Sequence, residues 1–232
     1  GGGVVGDLSG FVAATFLRGL NFGQIPTTLL SMMDAAIGGK TGVDLPQGKN
    51  LVGAFHQPRF VIEDIKTLVT LSDRQIRSGW AEAIKHGLIL DEHLLSLFEK
   101  HKDSIIILNP KLSVDLIGRS VSIKADIVSK DEVETLGHRM LLNYGHTIGH
   151  AIESSTMYER YLHGEAVSLG MMAAAYISKG LGMLSDSEVQ RQRSILTAYG
   201  LPVSSDDLDI SSVLEATTAD KKTVGGSIHW VL

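Results

Sequence analysis

The chain has 232 residues, of which 44% are hydrophobic and 20% are charged, and its formal net charge is −5. These values predict an ordinary soluble protein of one large or two small domains, and they exclude a general nucleic-acid surface. Because the chain contains no cysteine and no apolar run long enough to cross a bilayer, disulfides, thiolate metal ligands and a membrane span are excluded as well.

The first part of the chain has the glycine loops, short strands and intervening helices that are typical of an α/β unit. Residues 1–6 are predicted as a glycine-rich turn, and Asp7 as the N-cap of a helix whose apolar face continues to Gly19. The next predicted elements are a helix from Thr27 or Thr28 to residues 38–39, a loop at 41–58 and a short strand at 60–62.

Helical periodicity dominates from Ser72, which forms a capping-box pattern with Gln75. The predicted helices are residues 72–90, 91–101, 110–130, 139–156, 163–181, 186–199 and 208–218. We therefore predict two domains, an α/β domain at residues 1–71 and a helical domain at 72–232. The start on three glycines without Met, and an end that reads as a strand cut short, predict a fragment of a longer protein.

Two Gly-Lys pairs lie in the predicted loop region. Lys40 and Lys49 each follow a glycine on a loop, where an ammonium group suits phosphate or substrate oxygens. The alternative is that they are surface lysines beside glycines that end helices. The glycines before Asp7 suit a phosphate-binding turn, although such turns are common without a ligand.

A carboxylate and two imidazoles form the strongest candidate for a metal site. Glu82 lies among apolar residues of a predicted helix, where it needs a partner such as a metal, although a surface ion pair with Lys85 is the alternative. His146 and His150 are four residues apart and share a helix face, so spacing alone predicts that both bind metal. His163 begins another predicted helix, and the sequence around it indicates a helix-cap residue rather than a ligand.

Six motifs occur in an order that resembles 3-dehydroquinate synthases: GGGVVGDLSGF, GGKTGV, GKNLVGAF, AEAIKHG, LNYGHTIGHA and HGEAV. The resemblance implies the remnant of an N-terminal α/β dinucleotide-binding domain, followed by a helical metal- and substrate-binding domain. It implies NAD and Zn²⁺ (or Co²⁺) as cofactors, and a cytoplasmic homodimer. It also implies a carbon–oxygen lyase of the shikimate pathway of aromatic amino acid biosynthesis, which converts 3-deoxy-D-arabino-heptulosonate 7-phosphate to 3-dehydroquinate and phosphate.

The resemblance also implies a role for individual residues. The metal ligands are Glu82, His146 and His163, so that His150 contacts substrate instead. The substrate and catalytic contacts are Lys40, Asn50, Lys85, Lys124, Glu134, Arg139, Asn143, His150, Arg18 and Lys222 or its neighbour Lys221. The NAD contacts are Gly3, Val4, Val5, Gly6, Asp7, Thr27, Thr28, Asp34, Lys40, Lys49, Thr67, Leu68, Val69 and Thr70. The chain departs from the family pattern between Glu134 and Arg139, where it is one residue longer and contains His138.

Three other functions stay open at this point. One is a sister sugar phosphate cyclase that acts on another sugar phosphate. A second is a metal-dependent polyol dehydrogenase, which would release NADH, whereas a cyclase shows no net reduction of NAD. The third is a non-catalytic nucleotide- or metal-binding module. The upstream part of the family's nucleotide-binding domain is missing, which predicts weak binding of NAD by the chain alone.

Overall fold

The structure is a computed structural model that describes residues 1–45, 48–219, 223–224, 227–228 and 230–232, and the side chains of 1–45, 51–217 and 230–232. They form two compact units. The first contains Gly1–Gly79 and Ile107–Arg139, and the second contains Trp80–Ile106 and Met140–Leu232. The units are interleaved in the sequence, and the domain boundary expected after residue 71 stays a prediction.

Helix α1 (Gly3–Thr15) opens the first unit, and a 3₁₀ turn, Phe16–Arg18, follows it. The predictions of a turn at residues 1–6 and of an N-cap at Asp7 are wrong, because the helix begins at Gly3 and Gly2 is its N-cap. Glycine is a poor helix former, but here it allows close packing. A Cβ at Gly6 would lie 2.8 Å from the side chain of Gln24, and one at Gly10 would lie 2.4 Å from that of Thr41.

Residues predicted as a loop form an antiparallel hairpin of β1 (Lys40–Leu45) and β2 (Gly48–Phe55). The loop prediction was wrong because its glycines permit close approach of two strands. Gly42 pairs with Gly53, and a Cβ at Gly42 would lie 2.8 Å from a backbone oxygen.

The rest of the first unit consists of short turns and one long helix. A short helix ends in a π-helical segment, Ser31–Ala35, near the predicted position. The strand predicted at residues 60–62 is present only as an isolated bridge of Val61 to Gln24. Asp64 caps the 3₁₀ helix Ile65–Thr70, and helix α5 (Pro110–Lys130) begins after the N-cap Asn109.

Helices make up most of the second unit. Helix α2 (Asp73–Leu90) begins in the first unit and continues into the second. The other helices of the second unit are α3 (Glu92–Lys100), α4 (Lys102–Ile106), α6 (His146–Ser155), α7 (His163–Gly180), α8 (Asp186–Ala198) and α9 (Ile210–Ala219). A short antiparallel pair, β3 (Thr223–Val224) and β4 (Ser227–Ile228), follows α9.

One helical prediction was partly wrong. The predicted range 139–156 overlaps a 3₁₀ helix, His138–Asn143, and α6 begins only at His146. The chain breaks between the two helices, and Gly145, the N-cap of α6, has a φ of 76°, a left-handed conformation that favours glycine. Within the described part of the chain, we find no helix with the length and apolarity needed to span a bilayer.

The packing of α6 on α7 brings their first turns together. A Cβ at Gly170 would lie 1.9 Å from the carbonyl oxygen of Gly145, and one at Gly149 would lie 3.1 Å from the backbone of Val167. The two helices therefore touch backbone to backbone. Because His146 and His163 are the first residues of these helices, their rings are neighbours, with centroids 5.3 Å apart.

Candidate metal centre

Three residues of the second unit converge on one point. Glu82 comes from α2, His146 from the start of α6 and His163 from the start of α7. Glu82 Oε1 is 3.5 Å from His146 Nε2 and 3.8 Å from His163 Nε2. One nitrogen or oxygen atom from each residue lies within 4.8 Å of the others, a spacing at which they can hold one metal ion.

The carboxylate of Glu82 is buried and only half satisfied. Its Oε2 accepts a hydrogen bond from Lys85 Nζ at 2.5 Å, and Lys85 also donates to the carbonyl oxygen of Leu142 at 2.6 Å. Oε1 has no hydrogen-bond partner among the residues that the structure describes. A buried oxygen of this kind costs free energy unless a cation or a donor meets it.

The donor set fits a zinc or cobalt ion. One carboxylate oxygen and two imidazole nitrogens are ligands that Zn²⁺ accepts, and three protein ligands leave coordination positions for substrate oxygens. The Nδ1 atom of His146 is 3.1 Å from the carbonyl oxygen of Tyr144. Because a carbonyl oxygen only accepts, Nδ1 carries the proton and the lone pair lies on Nε2. This nitrogen is the one 3.5 Å from Glu82 Oε1, so it is available to bind a metal there.

His150 lies beside this trio. Its ring centroid is 5.3 Å from that of His146 and 6.0 Å from that of His163. The structure groups His163, and not His150, with Glu82 and His146, as the family resemblance implied and the spacing alone did not. Asn143 ends the 3₁₀ helix that precedes α6 and is partly buried.

Three of the predicted substrate-contacting cations of the first unit are paired with protein groups. Lys124 Nζ donates to both the backbone and the side-chain oxygen of Asp34, and Lys40 forms an ion pair with Glu134. The buried guanidinium of Arg139 donates to backbone oxygens, which are Gly38 O at 3.3 Å and Glu132 O at 3.0 Å.

Asp131 organises the loop that carries Glu134 and Arg139, and the sequence reasoning missed it. Its carboxylate accepts hydrogen bonds from the backbone N–H groups of Thr135 at 2.8 Å and Leu136 at 3.0 Å. Burial opposes ionisation, but the backbone donors together hold the pKa of Asp131 below its ordinary value. The signal available in the sequence was that Asp131 directly follows the last turn of a long predicted helix, at residues 110–130.

The predicted NAD contacts are spread over several elements of the first unit, which include α1, the π-helical segment, both strands of the hairpin and a 3₁₀ helix. Residues 3–7 form the first turns of α1, and the start of a helix is where backbone N–H groups can suit a phosphate. Thr28 accepts a hydrogen bond from Ser31 N, and Thr67–Thr70 belong to a 3₁₀ helix. Burial, followed by repulsion from Asp34 and Asp44, raises the pKa of Asp7 from 3.8 to about 6.

The other residues that the family resemblance implied are not connected to the metal trio by any contact among the described side chains. Arg18 is exposed at the end of its 3₁₀ turn, with a φ of 66°. Lys49 and Asn50 lie on β2, but their side chains are outside the described residues. Lys221 and Lys222 are outside the described residues altogether.

Two models of one protein family match this chain, one at each end. The family model described as 3-dehydroquinate synthase N-terminal matches residues 1–78, and that described as 3-dehydroquinate synthase C-terminal matches residues 79–223. A 3-dehydroquinate synthase from Nostoc sp. is 50% identical over 235 residues, a match that covers 100% of this chain and 64% of the relative. The chain thus spans less than two thirds of the length of such relatives.

Solved structures of sugar phosphate cyclases share the fold. ValA, a 2-epi-5-epi-valiolone synthase from Streptomyces hygroscopicus with bound NAD⁺ and Zn²⁺, gives a TM-score of 0.88 at 30% identity and covers 95% of this chain and 61% of its own. A 2-deoxy-scyllo-inosose synthase complexed with carbaglucose-6-phosphate, NAD⁺ and Co²⁺ gives 0.85 at 32% identity, over 96% of this chain and 60% of its own. The predicted fold class, an α/β remnant with a helical domain, is confirmed. By the match of both family models, the chain belongs to the 3-dehydroquinate synthase family.

Proposed function

We propose that the protein containing this chain is a 3-dehydroquinate synthase. It converts 3-deoxy-D-arabino-heptulosonate 7-phosphate to 3-dehydroquinate and phosphate in the shikimate pathway, as a cytoplasmic homodimer. The observation that carries the proposal is the convergence of Glu82, His146 and His163 around a carboxylate oxygen with no donor among the described residues. The 50% identity to curated 3-dehydroquinate synthases supports this substrate over those of the sister cyclases.

The proposed cofactors suit a reaction that oxidises and later reduces the same substrate carbon. When bound, the divalent metal supplies Lewis acidity toward substrate oxygens and NAD supplies a reversible two-electron oxidation. The structural relatives hold NAD⁺ with Zn²⁺ or Co²⁺, which supports the same pair here. Glu82, His146 and His163 would hold the metal, and the residues of α1 and Thr67–Thr70 would contact NAD.

The chain's own side chains would bind and orient the phosphate that is eliminated. Lys85 is a buried ammonium close to the metal trio, and Lys124 and Lys40 are held by carboxylates that a phosphate dianion would replace. Arg18 and Lys222 are proposed to complete the phosphate contacts. Fixing the phosphate in place lowers the entropic cost of the elimination.

Two groups are proposed to transfer protons, the substrate phosphate and His150. The substrate phosphate itself is a suitable proton acceptor, which accounts for a site rich in Lys and Arg. His150 lies beside both histidines of the trio and is proposed to move a proton at its ring nitrogen, while Asn143 orients the ring oxygens of the substrate.

A product assay tests the proposal. The full-length protein, supplied with Zn²⁺, NAD and the heptulosonate phosphate, should form dehydroquinate and phosphate in equal amounts with no net NADH. A matched experiment with sedoheptulose 7-phosphate and glucose 6-phosphate should give no cyclised product. Turnover of either of these sugars in place of the heptulosonate would identify a sister cyclase, and accumulation of NADH would identify a dehydrogenase.

A further inference from the structure

Glu153, a residue that the sequence motifs did not single out, lies against the far side of His163. Its Oε2 is 3.3 Å from His163 Nδ1, while His163 Nε2 is 3.8 Å from Glu82 Oε1. The imidazole thus lies between two carboxylates, with a different nitrogen facing each. Glu153 is 7% exposed, so water competes little for this contact.

The position of Glu153 on α6 follows from helical spacing. It lies three residues after His150 and seven after His146, so the three side chains share one face of the helix. That face is directed toward the start of α7, where His163 lies. The spacing from His150 to Glu153 was the signal in the sequence.

The contact determines which nitrogen of His163 is available. A neutral imidazole has one N–H donor and one acceptor, and an ionised carboxylate is an acceptor only. The proton therefore belongs on Nδ1, where Glu153 accepts it, and the lone pair is left on Nε2. His146 reaches the same tautomer through the carbonyl oxygen of Tyr144.

We propose that Glu153 is a positioning residue that accepts a hydrogen bond from His163 Nδ1–H and so fixes the tautomer and ring orientation of His163 for metal binding. The inference rests on the proposed metal site. Partners of this kind raise the basicity of a ligating imidazole and hold it in the geometry that the metal requires. Glu153 acts through His163 and does not itself touch the ion.

A second group of possible metal ligands, which shares only His163 with the first, gives the competing outcome. His150, Glu153 and His163 also place ligand atoms within 4.8 Å of one another. A cation held there with Glu153 as a ligand would take the Nδ1 side of His163, and the proton would move to Nε2. The two arrangements therefore differ in the position of one proton, which can be measured.

The first measurement is the affinity for zinc, determined by chelator competition on the full-length protein. Glu153→Ala should weaken zinc binding by about 10- to 100-fold. Glu153→Gln should fall between Ala and the parent, because its amide oxygen still accepts from Nδ1–H but carries no charge. Glu159→Gln, at an exposed position beyond the end of α6, is the matched control and should bind zinc as the parent does.

The second measurement is the tautomer of His163, from ¹⁵N NMR of the zinc-loaded parent, which does not depend on any variant folding. A proton on Nδ1 supports the proposal, and a proton on Nε2 overturns it. Parent-like zinc affinity in Glu153→Ala or, where that variant does not fold, in Glu153→Gln would also overturn it. If His146→Ala binds zinc as tightly as the parent does, the metal site itself is wrong, which separates that failure from a failure of Glu153 alone.

Discussion

The buried cluster of the second unit and the ion pairs of the first unit balance their charges in different ways. In the second unit, Lys85 satisfies one oxygen of Glu82, and the other oxygen faces two imidazole nitrogens with no donor among the described residues. In the first unit, Lys124 and Lys40 each lie against a carboxylate of the protein. The cluster of the second unit therefore presents an oxygen and two nitrogens that suit a cation, whereas each lysine of the first unit already faces a carboxylate.

The largest expected effect comes from removing the charge of Glu82. Glu82→Gln leaves the ammonium of Lys85, which is 1% exposed, without its carboxylate, and should lower the free energy of unfolding by about 3–5 kcal/mol. Urea unfolding in the presence of a chelator measures this part, and zinc content measures the loss of the metal. The double variant Glu82→Gln/Lys85→Met should recover part of the stability, because no charge stays buried. Unchanged stability of the single variant under chelator would show that the pair is not buried in solution.

The two regions also differ in how far the sequence predicted them. Most helices of the second unit follow from apolar periodicity, and the spacing of His146 and His150 marked the cluster. That spacing did not indicate that His163 lies beside His146, because their convergence depends on the backbone contact of α6 with α7. In the first unit, glycines were interpreted as turn residues, but those of α1 and of the hairpin serve close packing. A sequence shows that a glycine is present, and only the fold shows which neighbour requires it.

A substitution in the helix contact should disturb the metal site without touching a ligand. Gly170→Ala places a Cβ 1.9 Å from the carbonyl oxygen of Gly145, the residue before His146. Separating the two backbones should cost about 3 kcal/mol and weaken zinc binding. Gly180→Ala, at the end of the same helix and with nothing within 4 Å of the added Cβ, is the control and should be neutral or stabilising. Equal stability of the two variants would contradict the close contact.

The Lys124–Asp34 pair should contribute less than the Glu82–Lys85 pair. Lys124 is 8% exposed, but Asp34 is 33% exposed, so solvent weakens the attraction. Asp34→Asn retains an acceptor oxygen and should lower the free energy of unfolding by about 2 kcal/mol, since only the charge of a charge-assisted hydrogen bond is lost. A double-mutant cycle with Lys124→Met isolates the pair. If the coupling energy of Lys124 and Asp34 equals that of Lys85 and Glu82, the two units do not differ in the strength of their ion pairs.

A pH series tests the electrostatics around the first turns of α1. The pKa of Asp7 is raised to about 6, so the folded state favours the protonated carboxyl, and that stabilisation is lost as the pH rises from about 4 through 6. Asp7→Asn should therefore be more stable than the parent above pH 6, by about 1 kcal/mol because the group is only half-buried. The difference should vanish near pH 4. A difference that stays constant over this range would mean that Asp7 is not desolvated.

The smallest effect is expected at the Lys40–Glu134 pair, the most exposed of these contacts. The side chains of Lys40 and Glu134 are 55% and 30% exposed, so Glu134→Gln should change the free energy of unfolding by less than about 1 kcal/mol. Asp131 holds the loop through backbone hydrogen bonds, so the loop should keep its conformation in this variant. High salt should reduce the difference further, because exposed charges are screened. Such a weak pair would open at little free-energy cost, as the proposed substrate contact of Lys40 requires. A loss above about 2 kcal/mol that does not respond to salt would instead make the pair structural, and the first unit would then resemble the second.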